Sequence, residues 1–359
     1  MNLRLEIVPR TAPSTQALMM VPAITIALSV LCAIVLFTAL NHSPSLVLYS
    51  FFVEPFLDSY NLSEVLIKAG PLILIAQGLA IGFRAKVWNI GAEGQLTIGA
   101  IFAALIPITW PQSQSALMLP VMILVGGLAG AAWASIAALL RTRFNASEII
   151  VTLMLNQIAF QILLYLINGP LKDPRGFSFP QSVPFPEAAM FPPLVEDSLL
   201  RANMSIWLVL LISVLAWVFV ARSFAGFRLL VGGLAPNAAR YAGFSANRAI
   251  WISLLAGGVA AGIAGVGEIS GPIGKLQPIL SPGYGFAAII VAFLGGLNPI
   301  GIVLAGFFMA VIFVGADGAV LAGIPASAPV VFQGFILIFY LASYTLVNFK
   351  FRRVRGGTV

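Results

Sequence analysis

The chain has 359 residues, of which 60% are hydrophobic and 9% charged, with a mean hydropathy of +1.02 and a formal net charge of +7. The core of a soluble domain cannot bury so much apolar surface, and the composition therefore predicts a membrane protein with several spans. With one cysteine, Cys32, and one histidine, His42, the sequence excludes a disulfide framework and a Cys/His metal site. Basic residues at the ends of apolar runs indicate membrane orientation, and nucleic acid is not an expected partner.

The apolar runs predict an all-α bundle of transmembrane helices. Their approximate positions are 18–40, 62–83, a run ending near 110, 116–140, 147–168, 204–221, 249–266, 286–297, 301–315 and a last run ending near 347. The runs at 286–297 and 301–315 are short for a hydrocarbon layer of about 30 Å. We therefore expect half-helices there, and nine or ten spans in all.

Most of the 19 Lys and Arg residues fall on one side of this arrangement, which predicts that both termini are cytoplasmic. The chain, 1–359, is expected to be one transmembrane domain. Its tails at 1–17 and 349–359 and the basic connection at 222–248 are predicted to be cytoplasmic. The proline-rich segment 169–203 cannot span and is predicted to be an external loop.

A polar, glycine-rich island, WNIGAEGQLTIGA, interrupts the apolar pattern from Trp88 to Ala100. It contains an acid, Glu93, and two amides, Asn89 and Gln95. Backbone that leaves a helix at membrane depth needs partners within the protein or in water, and an acid there marks a candidate functional site. The island therefore predicts an interrupted helix with a functional role.

Glu93 has two interpretations. It could anchor the break by accepting hydrogen bonds from free N–H groups at a helix start, or it could contact substrate or relay protons. Arg84 and Lys86 precede it and could keep it charged. They also place the start of the island toward the cytoplasmic side, where it could act as a gate at the inner end of the path. We expect the anchoring role first and substrate contact second.

A second interrupted stretch runs from Glu268 to Gly285 in the other half of the chain. Interrupted helices at matching places often line a substrate path in transporters. Tyr284 and Phe286 lie at its end, and with Trp88 they would offer aromatic faces to a flat polar heterocycle. The adjacent amides Asn156 and Gln157 lie inside a span, so at least one must face the bundle interior.

The connection at 222–248 combines basic and apolar residues and contains a short helical segment with proline in its first turn. The members of this segment are Pro236, Asn237, Ala238, Ala239 and Arg240. A solvated loop has no need of this apolar content, so we predict that the segment docks a cytoplasmic partner. The stretch GPIGKL at 271–276 lacks the first glycine and the final Ser or Thr of a phosphate-binding loop. ATP hydrolysis is therefore not expected in this chain.

Four separated motifs resemble the permease subunits of bacterial nucleoside ABC importers, whose superfamily includes permeases for ribose-type sugars and branched-chain amino acids. They are WNIGAEGQLTIG, TLMLNQIAF, the segment from Gly226 to Gly243, and PGYGFAAIIVAFLGGLNPIG, in the family's order within residues 60–345. Gly232-Gly233-Leu234 departs from the pattern, since relatives more often have an Ala-Val-Gly stretch there.

The resemblance implies a heteromeric importer in the bacterial inner membrane, in which this chain pairs with a second, related permease. A cytoplasmic ATPase that uses ATP and Mg²⁺ and an external substrate-binding lipoprotein would complete it, and this chain itself would bind no cofactor or metal. Arg228 and the segment from Pro236 to Arg240 would couple to the ATPase. The substrate path would be lined or shaped by Trp88, Asn89, Glu93, Gln95, Asn156, Tyr284 and Phe286.

Two alternatives remain open from the sequence. One is an ABC permease for a simple sugar or a branched-chain amino acid. The other is a secondary transporter in which Glu93 or Asp317 couples a proton or Na⁺ gradient. The connection at 222–248 favours an ABC permease, because a gradient-coupled carrier has no evident use for it.

Overall fold

A computed structural model of the chain describes residues 3–9, 15–177, 179–195, 200–321, 323–325 and 327–355. Parts of the predicted tails (1–2, 10–14 and 356–359) and of the predicted external loop (178 and 196–199) lie outside the described residues. Two strands, β1 (Leu3–Pro9) and β2 (Phe349–Arg355), flank thirteen α-helices in the described parts of the chain. The helices are α1 (Thr15–Ala39), α2 (Pro44–Phe52), α3 (Ser59–Arg84), α4 (Ala92–Thr109), α5 (Met118–Phe144), α6 (Glu148–Asn168), α7 (Ser205–Arg222), α8 (Phe224–Leu234), α9 (Pro236–Tyr241), α10 (Ala246–Glu268), α11 (Tyr284–Leu294), α12 (Pro299–Leu321) and α13 (Ala328–Asn348).

The prediction of a polytopic helical membrane protein is confirmed. Within the described residues, nine helices are long and apolar enough to cross a membrane, namely α1, α3, α4, α5, α6, α7, α10, α12 and α13. The expectation of a short run at 301–315 is wrong, because α12 continues through Gly315 and Asp317 to Leu321 with 23 residues. The helices α2 and α8 were not predicted, since they lie in stretches that were interpreted as connections.

The chain divides into two compact units, residues 1–53 with 315–359, and residues 54–314. In the first unit, α1 packs against α13, and the rings of Phe51 and Phe332 lie 5.5 Å apart. The strands pair antiparallel, with Leu3 opposite Arg355 and Pro9 opposite Phe349. This pairing places residues 3–9 and 349–355 side by side in this unit.

In the second unit, α10 is the central helix and packs against α3, α4 and α5. Small residues make this possible. A Cβ on Gly130 would overlap the carbonyl oxygen of Gly258, and a Cβ on Gly262 would overlap that of Gly126. These glycines belong to two Gly-x-x-x-Gly motifs, 126–130 in α5 and 258–262 in α10, which face each other and let the two helices approach closely.

The predicted external loop at 169–203 lies over the end of α10. The backbone N–H groups of Ser182, Phe185 and Phe191 donate to the carbonyl oxygens of Leu276, Gly274 and Ser270, at 2.9, 2.8 and 2.7 Å. These bonds give the irregular chain after α10 the backbone partners that it lacks in its own segment. The loop thereby holds the second interrupted stretch in place from one side.

Candidate functional site

The first break follows α3, where residues 85–91 leave the helix before α4 begins. The amides of Asn89 and Gln95 pair through two hydrogen bonds, from Asn89 Nδ2 to Gln95 Oε1 at 2.9 Å and from Gln95 Nε2 to Asn89 Oδ1 at 3.1 Å. The N–H of Gly91 also donates to Asn89 Oδ1, at 2.9 Å. Both amide side chains are buried, so they fix the shape of the break from inside.

Helix α6 supplies partners for the backbone that the break leaves unpaired. Asn156 Oδ1 accepts from the N–H of Gly94 at 2.8 Å, and its Nδ2 donates to the carbonyl of Ile90 at 2.8 Å. Thr152 Oγ1 accepts from the N–H of Ile90 at 3.2 Å. Asn156 lies eight residues after Glu148, the first residue of α6, or about 12 Å along the helix axis. The support for the first break therefore comes from the middle of α6 rather than from its end.

The second break separates α10 from α11. After Glu268 the chain forms a π-helical turn, Ile269–Ile273, and then runs irregularly to α11. Gly274 and Gly283 have φ values of 71° and 96°, in the left-handed region that favours glycine. Helix α11 has 11 residues and is about 16 Å long, half of the hydrocarbon layer. The prediction of a half-helix is confirmed for this segment.

The two breaks meet at Glu93, in the first turn of α4. Glu93 Oε2 accepts a hydrogen bond from the backbone N–H of Gly285, in the first turn of α11, at 2.6 Å. At the start of α11, the Ser281 hydroxyl oxygen accepts from the N–H groups of Gly283 and Tyr284, at 3.1 and 2.8 Å. A Cβ on Gly285 would overlap the backbone of Glu93, so this approach requires glycine. Because the N-terminus of a helix carries partial positive charge, both helix ends favour a carboxylate here. This geometry supports the anchoring role of Glu93.

The predicted path aromatics have different surroundings. Tyr284 is buried and meets Phe313 edge to face, with ring centroids 5.5 Å apart. Phe286 is 44% exposed, and Trp88 is 38% exposed and stacks on Phe293 at 5.8 Å. Trp88 and Phe286 therefore keep ring surface that could meet another molecule, whereas Tyr284 shapes the protein around the second break.

The connection at 222–248 contains two helices, α8 and α9, and α9 is the short helix predicted to begin at proline. The guanidinium of Arg228 lies between two rings, 5.2 Å from the centroid of Phe224 and 5.1 Å from that of Phe244. Ala239 is buried, whereas Arg240 on the same helix is exposed. The connection is therefore a packed structure that presents basic side chains to the outside.

A cavity of about 640 Å³ lies between this connection and the ends of α3, α5 and α6. Its only acid, Glu148, forms a salt bridge of 3.1 Å with Arg141. The other charged lining residues are basic: Lys86, Arg228, Arg240 and Arg248. The surface around this connection is thus electropositive and suits an acidic partner.

Arg84, at the end of α3, links the connection to the turn between α11 and α12. A Cβ on Gly233 in α8 would overlap the carbonyl oxygen of Arg84, so the two backbones are in direct contact. The Arg84 guanidinium donates to the carbonyl of Leu297 through Nε at 3.0 Å and Nη2 at 2.8 Å. Gln77 Nε2 donates to the carbonyl of Pro299 at 2.9 Å. Two side chains of α3 therefore hold the turn between α11 and α12.

The residues at the other end of α3 were not predicted as a cluster. Arg201 forms a salt bridge of 2.8 Å with Glu64 and a hydrogen bond of 3.4 Å with Tyr60, and it donates to the carbonyl of Pro272. The hydrogen bond to Tyr60 and the charge of Glu64 raise the pKa of Arg201. This residue ties the loop at 169–203 to α3 and to the π-helical turn. The roles of Thr152, Ser281 and Arg84 were also missed, because they depend on contacts between distant segments.

No group of three or more His, Cys, Asp and Glu side chains that could hold a metal ion occurs among the described residues. The arrangement instead consists of two broken helices that meet inside a bundle of membrane-spanning helices, and a packed basic connection at one end. These features define a polytopic membrane permease, in which interrupted helices can rearrange around a passing solute.

The sequence profile of the family described as branched-chain amino acid transport system / permease component matches residues 61–341. The chain belongs to this family of transport permeases. The matched region contains both breaks, the connection and all the residues that were predicted to form the path or the coupling surface.

Three relatives show which proteins the chain resembles. It is 34% identical to a glucose ABC transporter permease of Haloferax volcanii, across 99% of this chain and 94% of the relative. It is 30% identical to a guanosine ABC transporter permease of Bacillus subtilis, across 80% and 83% of the two chains. It is 29% identical to a nucleoside ABC transporter permease of Lactococcus lactis, across 91% and 92%. No solved structure gives a significant match.

Proposed function

We propose that this chain is the membrane-spanning subunit of an ATP-driven importer that moves nucleosides, in particular purine nucleosides, across the cytoplasmic membrane into the cell. The observation that carries the proposal is the hydrogen bond between Glu93 and Gly285, which joins two broken helices. The chain that contains them belongs to a family of transport permeases. The relatives named as guanosine and nucleoside ABC permeases, each matched over most of its length, support nucleoside cargo.

The importer contains further subunits in this proposal. A second, related permease forms the other half of the path, and a cytoplasmic ATPase binds ATP and Mg²⁺ and hydrolyses ATP. An external substrate-binding lipoprotein delivers the cargo and supplies most of the affinity. Arg228 and the residues of α9, from Pro236 to Arg240, dock to the ATPase. The electropositive surface of the connection supports this docking.

Transport proceeds by alternating access. ATP binding closes the ATPase part of the complex, and α9 moves with it. The contact of Gly233 with the Arg84 backbone carries this movement to α3, and the Arg84 guanidinium carries it to Leu297 and α11. Because α11 begins at the Glu93 junction, the movement reaches the broken helices in the middle of the membrane.

Each predicted path residue has a role in this scheme. Asn89, Gln95 and Asn156 hold the first break in shape, and Tyr284 does so for the second, while Trp88 and Phe286 offer aromatic surface to cargo. Glu93 joins the breaks. Its geometry needs hydrogen-bond acceptance and does not require a proton-transfer step.

A sugar is the second candidate cargo. The 34% identity to a permease named for glucose, over nearly the whole of both chains, favours it. Initial uptake of labelled guanosine, glucose and leucine by cells with and without this gene separates the candidates. We expect gene-dependent uptake of guanosine, and gene-dependent uptake of glucose alone would replace nucleosides with a sugar.

A further inference from the structure

Glu268, the last residue of α10, is a buried acid that the proposed transport scheme does not use. It is 7% exposed, and the π-helical turn of the second break, Ile269–Ile273, begins at the next residue. Such turns are frequent at functional sites. Within the described parts of the chain, the Glu268 side chain forms no hydrogen bond and no salt bridge. The carboxylate of Glu93 differs, because it accepts from the N–H of Gly285.

The charged groups around Glu268 come from three elements. They are Glu64 and Lys68 of α3, Glu93 of α4 and Arg201 of the loop before α7. Two are acids and two are bases, and Glu64 pairs with Arg201 at 2.8 Å. None of the four forms a salt bridge with Glu268 among the described residues. The surroundings therefore provide no net positive charge and no ion-pair partner for an ionised Glu268.

Glu268 lines a narrow cavity of about 10 Å³, which has room for about one water molecule. Asn203 and Ser205 are polar residues of the same lining. Asn203 is 8% exposed, and its Oδ1 accepts from the N–H of Ser205 at 3.0 Å, whereas its Nδ2 has no acceptor within the described residues. One water and one amide cannot replace the hydration shell of a carboxylate, and burial of an unpaired charge is costly. A neutral carboxylic acid fits this site far better.

We propose that Glu268 is a proton-binding site. Its carboxyl group holds a proton while the second break has the arrangement seen in this structure, and it releases that proton to water when the break opens and water reaches the cavity. The step forms or breaks one O–H bond and needs no other reactant than water. The inference goes beyond the proposed import of nucleosides and holds equally for a sugar as cargo. ATP remains the energy source, because the proton can return to the side from which it came.

The pH dependence follows from this assignment. An unfolded glutamate side chain ionises at about pH 4, so above that pH the folded arrangement binds one proton more than the unfolded chain at this residue. Stability falls with rising pH wherever the folded state binds more protons. Glu268 should therefore make the second break less stable as the pH rises.

Infrared spectroscopy of the purified intact transporter tests the proposal directly, because the C=O stretch of a protonated carboxylic acid is separate from the carboxylate bands. We expect such a band at neutral pH in the wild-type protein, its loss in Glu268→Gln, and its disappearance from the wild-type spectrum at high pH. The control is Glu148→Gln. Glu148 pairs with Arg141 and is not among the charged neighbours of Glu268, so this substitution should leave the band in place. A band that persists in Glu268→Gln would overturn the proposal.

The melting temperature gives an independent readout. It should fall from mildly acidic to mildly alkaline pH in the wild-type transporter by several degrees more than in Glu268→Gln, whose amide imitates the neutral acid at nearly the same size. Equal falls in the two proteins would reject the assignment. Failure of Glu268→Gln to assemble would also count against it, since that result indicates a need for the negative charge. Neither measurement uses cargo, so both remain valid if the importer carries no nucleoside.

Discussion

The carboxylate of Glu93 accepts a hydrogen bond from the backbone N–H of Gly285, and so joins the first turns of two helices that are 192 positions apart in sequence. Each helix begins at a break, and each break has further partners, from α6 for the first and from the loop at 169–203 for the second. The junction therefore joins the two helix breaks of the bundle in one contact.

Substitution of Glu93 distinguishes a role as hydrogen-bond acceptor from a need for its negative charge. Glu93→Gln keeps a side-chain oxygen that can accept from Gly285, so we expect uptake within about threefold of wild type. Glu93→Ala leaves the N–H of Gly285 without this acceptor, at a cost of about 1–3 kcal/mol, and uptake should fall at least tenfold. Initial uptake rates and the melting temperature of the purified transporter check both. Loss of uptake in Glu93→Gln, with normal assembly, would instead indicate that the charge or a proton is required.

The hydrogen bonds that Asn156 of α6 makes to the first break should be as important as the contact between Glu93 and Gly285. Asn156→Leu is similar in size but removes the partners of Gly94 and Ile90, and each lost partner costs about 1–3 kcal/mol. We expect a lower melting temperature and little uptake. Asn168→Leu is the matched control, since Asn168 is exposed at the end of the same helix and bonds only the carbonyl of Leu164. Equal effects of the two substitutions would contradict the role of Asn156 in supporting the first break.

Two adjacent glycines in α8 test the transmission of movement. Gly233→Ala would place a Cβ against the carbonyl oxygen of Arg84, whereas a Cβ on Gly232 meets nothing within 4 Å. Overpacking of this kind costs about 1–3 kcal/mol. We expect Gly233→Ala to lower uptake per ATP hydrolysed several-fold and Gly232→Ala to behave as wild type. If both variants transport normally, the contact between α8 and α3 does not carry the movement.

Arg84→Lys tests the next contact in this series, the one between Arg84 and Leu297. Lysine keeps the positive charge but cannot reproduce the two donors that hold the carbonyl of Leu297. We expect ATP hydrolysis to continue while uptake falls, because α11 is no longer tied to α3. Hydrolysis and uptake measured on the same preparation check this, and a proportional loss of both would point to a general loss of structure.

Arg240→Glu tests docking of the connection. Arg240 is exposed on α9, and reversal of its charge should repel an acidic partner without disturbing the fold. Uptake should be lost while the subunit remains in the membrane, and the ATPase should no longer copurify. Arg143→Glu reverses an exposed charge at the end of α5, outside the connection, and should leave copurification intact. Normal uptake in Arg240→Glu would reject the coupling role of α9.

The sequence predicted what local composition determines. Long apolar runs predicted most of the spans, and the polar islands predicted the breaks. The end of α12 was wrong because Asp317 was interpreted as the end of a span, although the helix continues past it. The paired strands at the two termini were not predicted, since their pairing joins the most distant parts of the chain.

The partners within the candidate site could not be read from the sequence. Nothing local indicates that Asn89 pairs with Gln95, that Glu93 meets Gly285, or that Arg84 binds the turn at Leu297. The first pairing depends on how the chain turns at the break, and the other two depend on packing of separate segments. The resemblance to known permeases pointed to these segments, and the three-dimensional contacts show which side chains in them have a structural task.

The most direct test of the account uses the complete transporter in proteoliposomes, with ATP in the lumen and the binding protein outside. We predict that labelled guanosine enters only when ATP is present, and that a proton or Na⁺ gradient without ATP drives no entry. Entry driven by either gradient in the absence of ATP would contradict the account and would favour a secondary transporter that uses Glu93 or Asp317.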